Sequence, residues 1–153
     1  MLFERFERWA ILVHGVDPPG QQEWLDYVEV IRQLDNTNGI GVCVLTDGVG
    51  PNAVQRKMIT EFKMRSAVVT SHRVARGMVT ALSWIGVAIK AFAPEDMVKA
   101  LDFLDVPQSD HKTLIERMAS MRLVLDGKDH QHTSKLNQPE LQKILNTPLR
   151  ARP

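Results

Sequence analysis

Between Trp9 and Val106 the chain four times sets a short apolar run before a segment of helical periodicity, and few architectures accept that alternation. Trp9-Ala-Ile-Leu-Val-His14, closed by Gly15 and Pro18-Pro19-Gly20, reads as a buried strand. Residues 21–34 then place Trp24, Tyr27, Val28, Ile31 and Leu34 on one helix face. Asp35-Asn-Thr-Asn-Gly39 stops that helix, because Asn and Gly accept the left-handed cap conformation. Residues 40–46 are the most continuous β-type run and end at Asp47-Gly-Val-Gly-Pro51. Pro51 fits the first turn of a helix that continues to Met64 and buries Val54, Met58 and Phe62. Ala67-Val-Val-Thr70 is a third strand, and Ser71 is suited to N-cap a helix over 72–85. The apolar positions of that helix, among them Val74, Ala81 and Ile85, go most of the way round it and predict deep burial. Ala88-Ile-Lys-Ala-Phe92 is a fourth strand. Pro94-Glu-Asp96 opens a fourth helix, with Val98, Leu101, Phe103 and Leu104 as its apolar surface.

Strands alternating with helices of this length predict an α/β fold: a small, mainly parallel sheet of four strands, or five, with alternating helices. The pattern changes after Val106. Pro107-Gln-Ser109 starts a helix carrying Leu114, Ile115, Met118, Met121, Leu123 and Val124 and stopping at Asp126-Gly127. A polar stretch over 128–138, a short helix over 139–145 and a loose end follow. The expected organisation is therefore an α/β domain over 1–106 and a helical extension over 107–153 with a flexible end. The apolar stripe over 109–125 needs a cover, which is either the α/β body or a second copy of the chain.

Composition narrows the class without naming a reaction. Hydrophobic residues make up 44% of the chain and charged residues 24%, the balance of a globular protein rather than of a disordered or fibrous one. No apolar run approaches the ~20 residues of a spanning helix, so no membrane insertion is expected. The first residues carry acids where a signal or transit peptide is basic and acid-poor. Cys43 is the only cysteine, which makes a reducing cytoplasm the expected setting.

The net charge of +1 conceals a segregation. Residues 1–47 hold eight acids and three bases, whereas 48–94 hold the single acid Glu61 against seven bases. A block of that kind is either a solvated face or a surface that steers an anionic ligand or an acidic partner. The pI near 7.9 is too mild for a nucleic-acid binder.

Two loops offer candidate chemistry. Gly48-Val-Gly-Pro-Asn-Ala53 formally matches G-x-G-x-x-A, in which glycines bring the backbone close to a pyrophosphate. It follows the second strand rather than the first, and Pro51 removes a donor, so a glycine-rich strand-to-helix turn is the expected reading. Thr70-Ser71-His72-Arg73 with Arg76 supplies a hydroxyl, N–H groups and guanidinium groups at a helix start, the ingredients of a small anion site. In a parallel sheet both loops open at the carboxyl edge, where ligands of such sheets bind. The partner- or anion-binding candidates are Asp47, Gly48, Gly50, Asn52, Arg56, Lys57, Ser71, His72, Arg73 and Arg76. Cys43, mid-strand among valines, reads as a core residue. Asp129-His130-Gln-His132 holds metal-capable atoms in a polar stretch without a cysteine partner, so no metal and no cofactor are expected. Trp84, at a chain reversal beside Gly86, is expected to pack over the sheet edge, with a partner-binding anchor as the alternative. No P-loop, H-E-x-x-H, G-x-S-x-G or paired-cysteine spacing occurs, and no catalytic residues are proposed.

Ala67-Val-Val-Thr70, Ala88-Ile-Lys-Ala-Phe-Ala-Pro-Glu-Asp96 and Ala100-Leu-Asp-Phe-Leu104 resemble the closing half of bacterial STAS-like domains, the anti-sigma-factor-antagonist-like proteins grouped with Sec14-type lipid carriers. In pattern the resemblance runs over about residues 8–106. Thr46-Asp-Gly-Val-Gly-Pro-Asn-Ala-Val-Gln-Arg56 and Val79-Thr-Ala-Leu-Ser-Trp84 are similar to stretches of uncharacterised bacterial members. The resemblance implies a non-catalytic regulatory module that recognises a protein partner. Antagonists of that family carry a phosphorylatable Ser in an Asp-Ser-[Ser/Thr]-Gly turn, and Asp47-Gly-Val-Gly50 lacks it, which implies constitutive rather than kinase-switched binding. The leading expectation is a module that reads an acidic protein segment with 47–57 and 71–76. The alternative is a small anionic-ligand or lipid carrier or sensor that holds an anionic group at Ser71 and Arg73. A nucleotide-dependent enzyme, the third reading, rests only on the formal glycine motif and the unplaced histidines.

Overall fold

A computed structural model describes residues 1–131 other than Glu7, Asn38 and Val49, with side chains as far as Gly127. Five strands form one sheet in chain order: β1 (Leu2–Arg5), β2 (Trp9–His14), β3 (Gly41–Thr46), β4 (Arg65–Val69) and β5 (Ile89–Phe92). β1 runs antiparallel to β2, while β2 to β5 are parallel. The helices are α1 (Gln21–Asn36), α2 (Ala53–Thr60), α3 (Arg73–Trp84), α4 (Met97–Phe103) and α5 (Gln108–Gln131), with a 3-10 turn at Pro94–Asp96. The α/β alternation expected from the sequence is the fold of the chain.

Strand order dictates the rest of the architecture. Parallel strands laid down consecutively, each joined by a crossover of the usual hand, put every crossover helix on the same face. Alternate strand residues accordingly separate into two cores. Ala10, Leu12 and Val42 pack against Trp24, Tyr27, Val28, Ile31 and Leu34 of α1, and Val68 and Ile89 pack against Val79 and Leu82 of α3. Ile11, Val13, Cys43, Ala67, Val69 and Phe92 point the other way. No crossover helix can reach them, and α4 and α5 cover them with Ala100, Leu101, Leu104, Leu114, Met118, Met121 and Leu125. The stripe on α5 therefore lies on the α/β body. Arg117 pairs with Glu4 at the β1 edge and Arg122 with Asp47 beyond β3, fixing α5 across the sheet.

Several local expectations are corrected. α2 starts after Pro51, with Asn52 as N-cap, and it stops at Thr60 instead of continuing to Met64. Of its eight residues only Gln55 is buried, and Val54 is 67% exposed instead of lying in the core. α3 is buried along one side only. Val74, Ala81 and Ile85 face outward, because a helix lying on one sheet face with nothing above it needs a single apolar stripe. Trp84 does not pack over the sheet edge: it is 83% exposed. Val98 and Leu123 also face solvent, and α5 continues through Gly127. The short helix expected over 139–145, the flexible end and most of the Asp129–His132 stretch lie outside the described residues.

Candidate functional site

β3 and β4 end in the same way. Thr46 and Thr70 are buried, and each hydroxyl accepts the backbone N–H two residues on, Gly48 N at 2.9 Å and His72 N at 3.1 Å. These turns use the local hydrogen bonding that Thr offers outside regular structure. They deliver the two candidate loops to adjacent positions at the carboxyl edge. His72, not Ser71, is the N-cap of α3, and its side chain makes no cap bond. Ser71 stands exposed and the Thr70 hydroxyl holds the N–H of the cap residue itself, so α3 starts without a side-chain cap bond.

The first loop is built for structure. Asn52 and Gln55 form a reciprocal capping box, Asn52 Oδ1 accepting from Gln55 N at 3.0 Å and Gln55 Oε1 from Asn52 N at 2.9 Å. Gly48 is buried under the β2–α1 loop, where an added Cβ would stand 2.7 Å from His14 Cε1. Gly50 has φ of 94°, the left-handed region glycine fills without strain, and it faces Met78 of α3. Asp47 is drawn toward the opposite face by Arg122, which also bonds Asp126 at 2.9 Å. Arg56 donates to the Pro51 carbonyl at 3.2 Å and touches Met78 Sδ at 3.7 Å. The candidate set therefore divides. Asp47, Gly48, Gly50, Asn52 and Arg56 are engaged in the fold. Among the described residues Lys57, Arg73 and Arg76 have no ion pair and no side-chain hydrogen bond. His72 Nδ1 is buried without a partner.

Two features escaped the sequence reading. The outward side of α3 carries Val74, Gly77, Ala81, Trp84 and Ile85 at helical spacing, all of them exposed. A side chain added at Gly77 would meet nothing within 4 Å, so the strip is open along its length. Read as a helix, these residues looked like core; only the sheet order shows that they have nothing to pack on. The second feature is an apolar cleft of about 90 Å³ between α2 and the sheet, with Leu12, Val44 and Val68 beneath it and Met78, Val79 and Leu82 to one side. Ser71 and Arg73, expected to hold an anionic group, lie outside it.

At the cleft mouth His14 Nδ1 lies 3.0 Å from the Gly15 carbonyl and 3.2 Å from Thr46 Oγ1. A carbonyl only accepts, so Nδ1 carries the proton and Nε2 is the free acceptor. Burial, partly opposed by that backbone bond, holds the imidazole below its ordinary pKa of 6.5, so His14 is neutral at pH 7. Cys43 is buried mid-strand, and burial pushes its thiol up to about 12, far from a nucleophile's range. Among the described residues no group of three His, Cys, Asp or Glu side chains could hold a metal ion, and no helix is long and apolar enough to cross a membrane. No known protein-family pattern, curated protein or solved structure matches the chain.

Proposed function

We propose that this chain is a non-catalytic regulatory module that recognises a protein partner through the outer side of α3, the partner presenting acidic residues beside an apolar segment. The observation that carries the reading is the exposed strip ending in Trp84, flanked at its start by the unpaired Arg73 and Arg76. Large aromatic and guanidinium groups are the residue types that dominate binding energy at interfaces. Exposed apolar strips of this kind on a single chain mark interaction surfaces.

Charge selects the class of partner. Arg73 and Arg76, cations without an ion pair at one end of the strip, call for negative charge on whatever binds there. An acidic segment supplies that charge to an environment holding Glu61 as the sole acid over 48–94. The resemblance to STAS-like domains points toward the same kind of module, and the missing phosphoacceptor in Asp47-Gly-Val-Gly50 fits a surface always competent to bind.

The reading is tested by purifying the full chain with its partner from the producing cell and reconstituting the pair. Charge reversal in R73E/R76E should weaken binding at least tenfold and flatten its salt dependence, with the melting temperature nearly unchanged, since exposed charges contribute little stability. An affinity that ignores both the reversal and the salt would refute the proposed surface.

A further inference from the structure

The cleft beneath α2 belongs to no part of that docking surface and has its own chemistry. It continues past its main body toward the amino ends of the strands, where a second, smaller recess shares Tyr27, Ile59 and Ser66 with it. None of the residues lining either recess is an Asp, Glu, Lys or Arg. A charged group placed inside would be desolvated without a counter-ion, which excludes ionic ligands from the interior.

The walls nevertheless hold two hydroxyl groups without a protein partner among the described residues. Tyr27 is 6% exposed and borders both recesses, and among the described residues its hydroxyl has no hydrogen-bond partner. Ser66 stands on β4 in the middle of the cleft floor, half-buried, and its hydroxyl is likewise unpartnered among the described residues. Neither oxygen is fully buried, so each is open to a bonding partner from outside the protein, and two such groups bordering one apolar space mark where a ligand oxygen fits. α2 closes the cleft on the side away from the sheet. Gln55 is its only buried residue, a Trp24 Nε1 contact to Met58 Sδ at 3.3 Å pins it to α1, and the turn containing Gly50 precedes it.

We infer that this cleft is a binding site for a small, uncharged, mainly apolar molecule carrying one oxygen, such as a single-ring or short-chain alcohol or phenol, its oxygen bonded by Tyr27 and Ser66. The volume is several times the ~10–15 Å³ that one water needs, which suits a ring or a short chain rather than a long acyl group.

Benzyl alcohol is the probe, with toluene as the same ring lacking the oxygen and glycerol as the polar control, each titrated into the full chain while amide chemical shifts are followed. Benzyl alcohol should bind saturably and at least fivefold more tightly than toluene, with shifts concentrated in β3, β4 and α2, and glycerol should not bind. A75F, which fills the cleft from α3, should lose binding tenfold or more with an unchanged or raised melting temperature. S66A, a milder change that serves if A75F does not fold, should bring benzyl alcohol and toluene closer together. Absence of saturable shifts, shifts centred on Trp84, equal affinity for the two ring probes, or S66A without effect on their ratio would each overturn the inference. Because the readout lies away from α3's outer strip, failure here leaves the docking surface standing, and the reverse holds too.

Discussion

Gly48 shows most plainly how one residue ties the edge together. It lies under His14 and Gly15, with 3.0 Å between an added Cβ and the Gly15 carbonyl. G48A should therefore cost about 1–3 kcal/mol by forcing two loops apart, read as a lower midpoint in chemical denaturation. His14 itself gives a pH signature. Its folded pKa is depressed below 6.5, so as pH falls through 6.5 the unfolded chain takes up a proton that the folded chain refuses. The His14 contribution is thus unfavourable below pH 6.5 and vanishes above it, and the imidazole NMR titration should show a midpoint under 6.5. A midpoint at or above that value would mean the ring is solvated. Cys43, at 1% exposure, should resist thiol reagents until the protein unfolds. Its burial could be read from its place among valines. The roles of Thr46 and Thr70 could not, because a hydroxyl bonding two residues ahead leaves no periodic trace.

At the level of elements, helix starts separate what spacing foretells from what it does not. Ser71 has the chemistry of a cap, but α3 starts one residue later, with His72 as N-cap, and the Thr70 hydroxyl holds the His72 N–H in a turn instead. T70V should cost about 1 kcal/mol, whereas S71A should stay within ~0.5 kcal/mol of wild type in the same denaturation assay. The reverse order would restore Ser71 as the cap. All four expected strands and the α1 face were legible, since period-2 and period-3.6 patterns report burial directly. β1 was not, because its four residues mix apolar and charged side chains at an edge. α3 was misjudged for a different reason: an apolar strip that faces outward has the same period as one turned to the core.

For the whole molecule, sheet order is the governing fact. With α1, α2 and α3 on one face, the other depends on α4 and α5. M118A, at a position with 0% exposure, should destabilise by about 2–5 kcal/mol, while L123A on the outer side of α5 should change stability by less than ~0.5 kcal/mol. Similar effects at both sites would mean α5 does not sit on the sheet as described. The proposed docking surface is the outer side of α3 and not that of α5. A photo-crosslinking amino acid at position 84, compared with one at position 123, tests it inside the producing cell with the products identified by mass spectrometry. Both sites are exposed and apolar, so general stickiness would label them alike. A docking surface on α3 predicts a discrete crosslink to one acidic protein from position 84, absent from 123 and lost in R73E/R76E. Equal labelling from both positions, or a crosslink at 84 that survives the charge reversal, would contradict it.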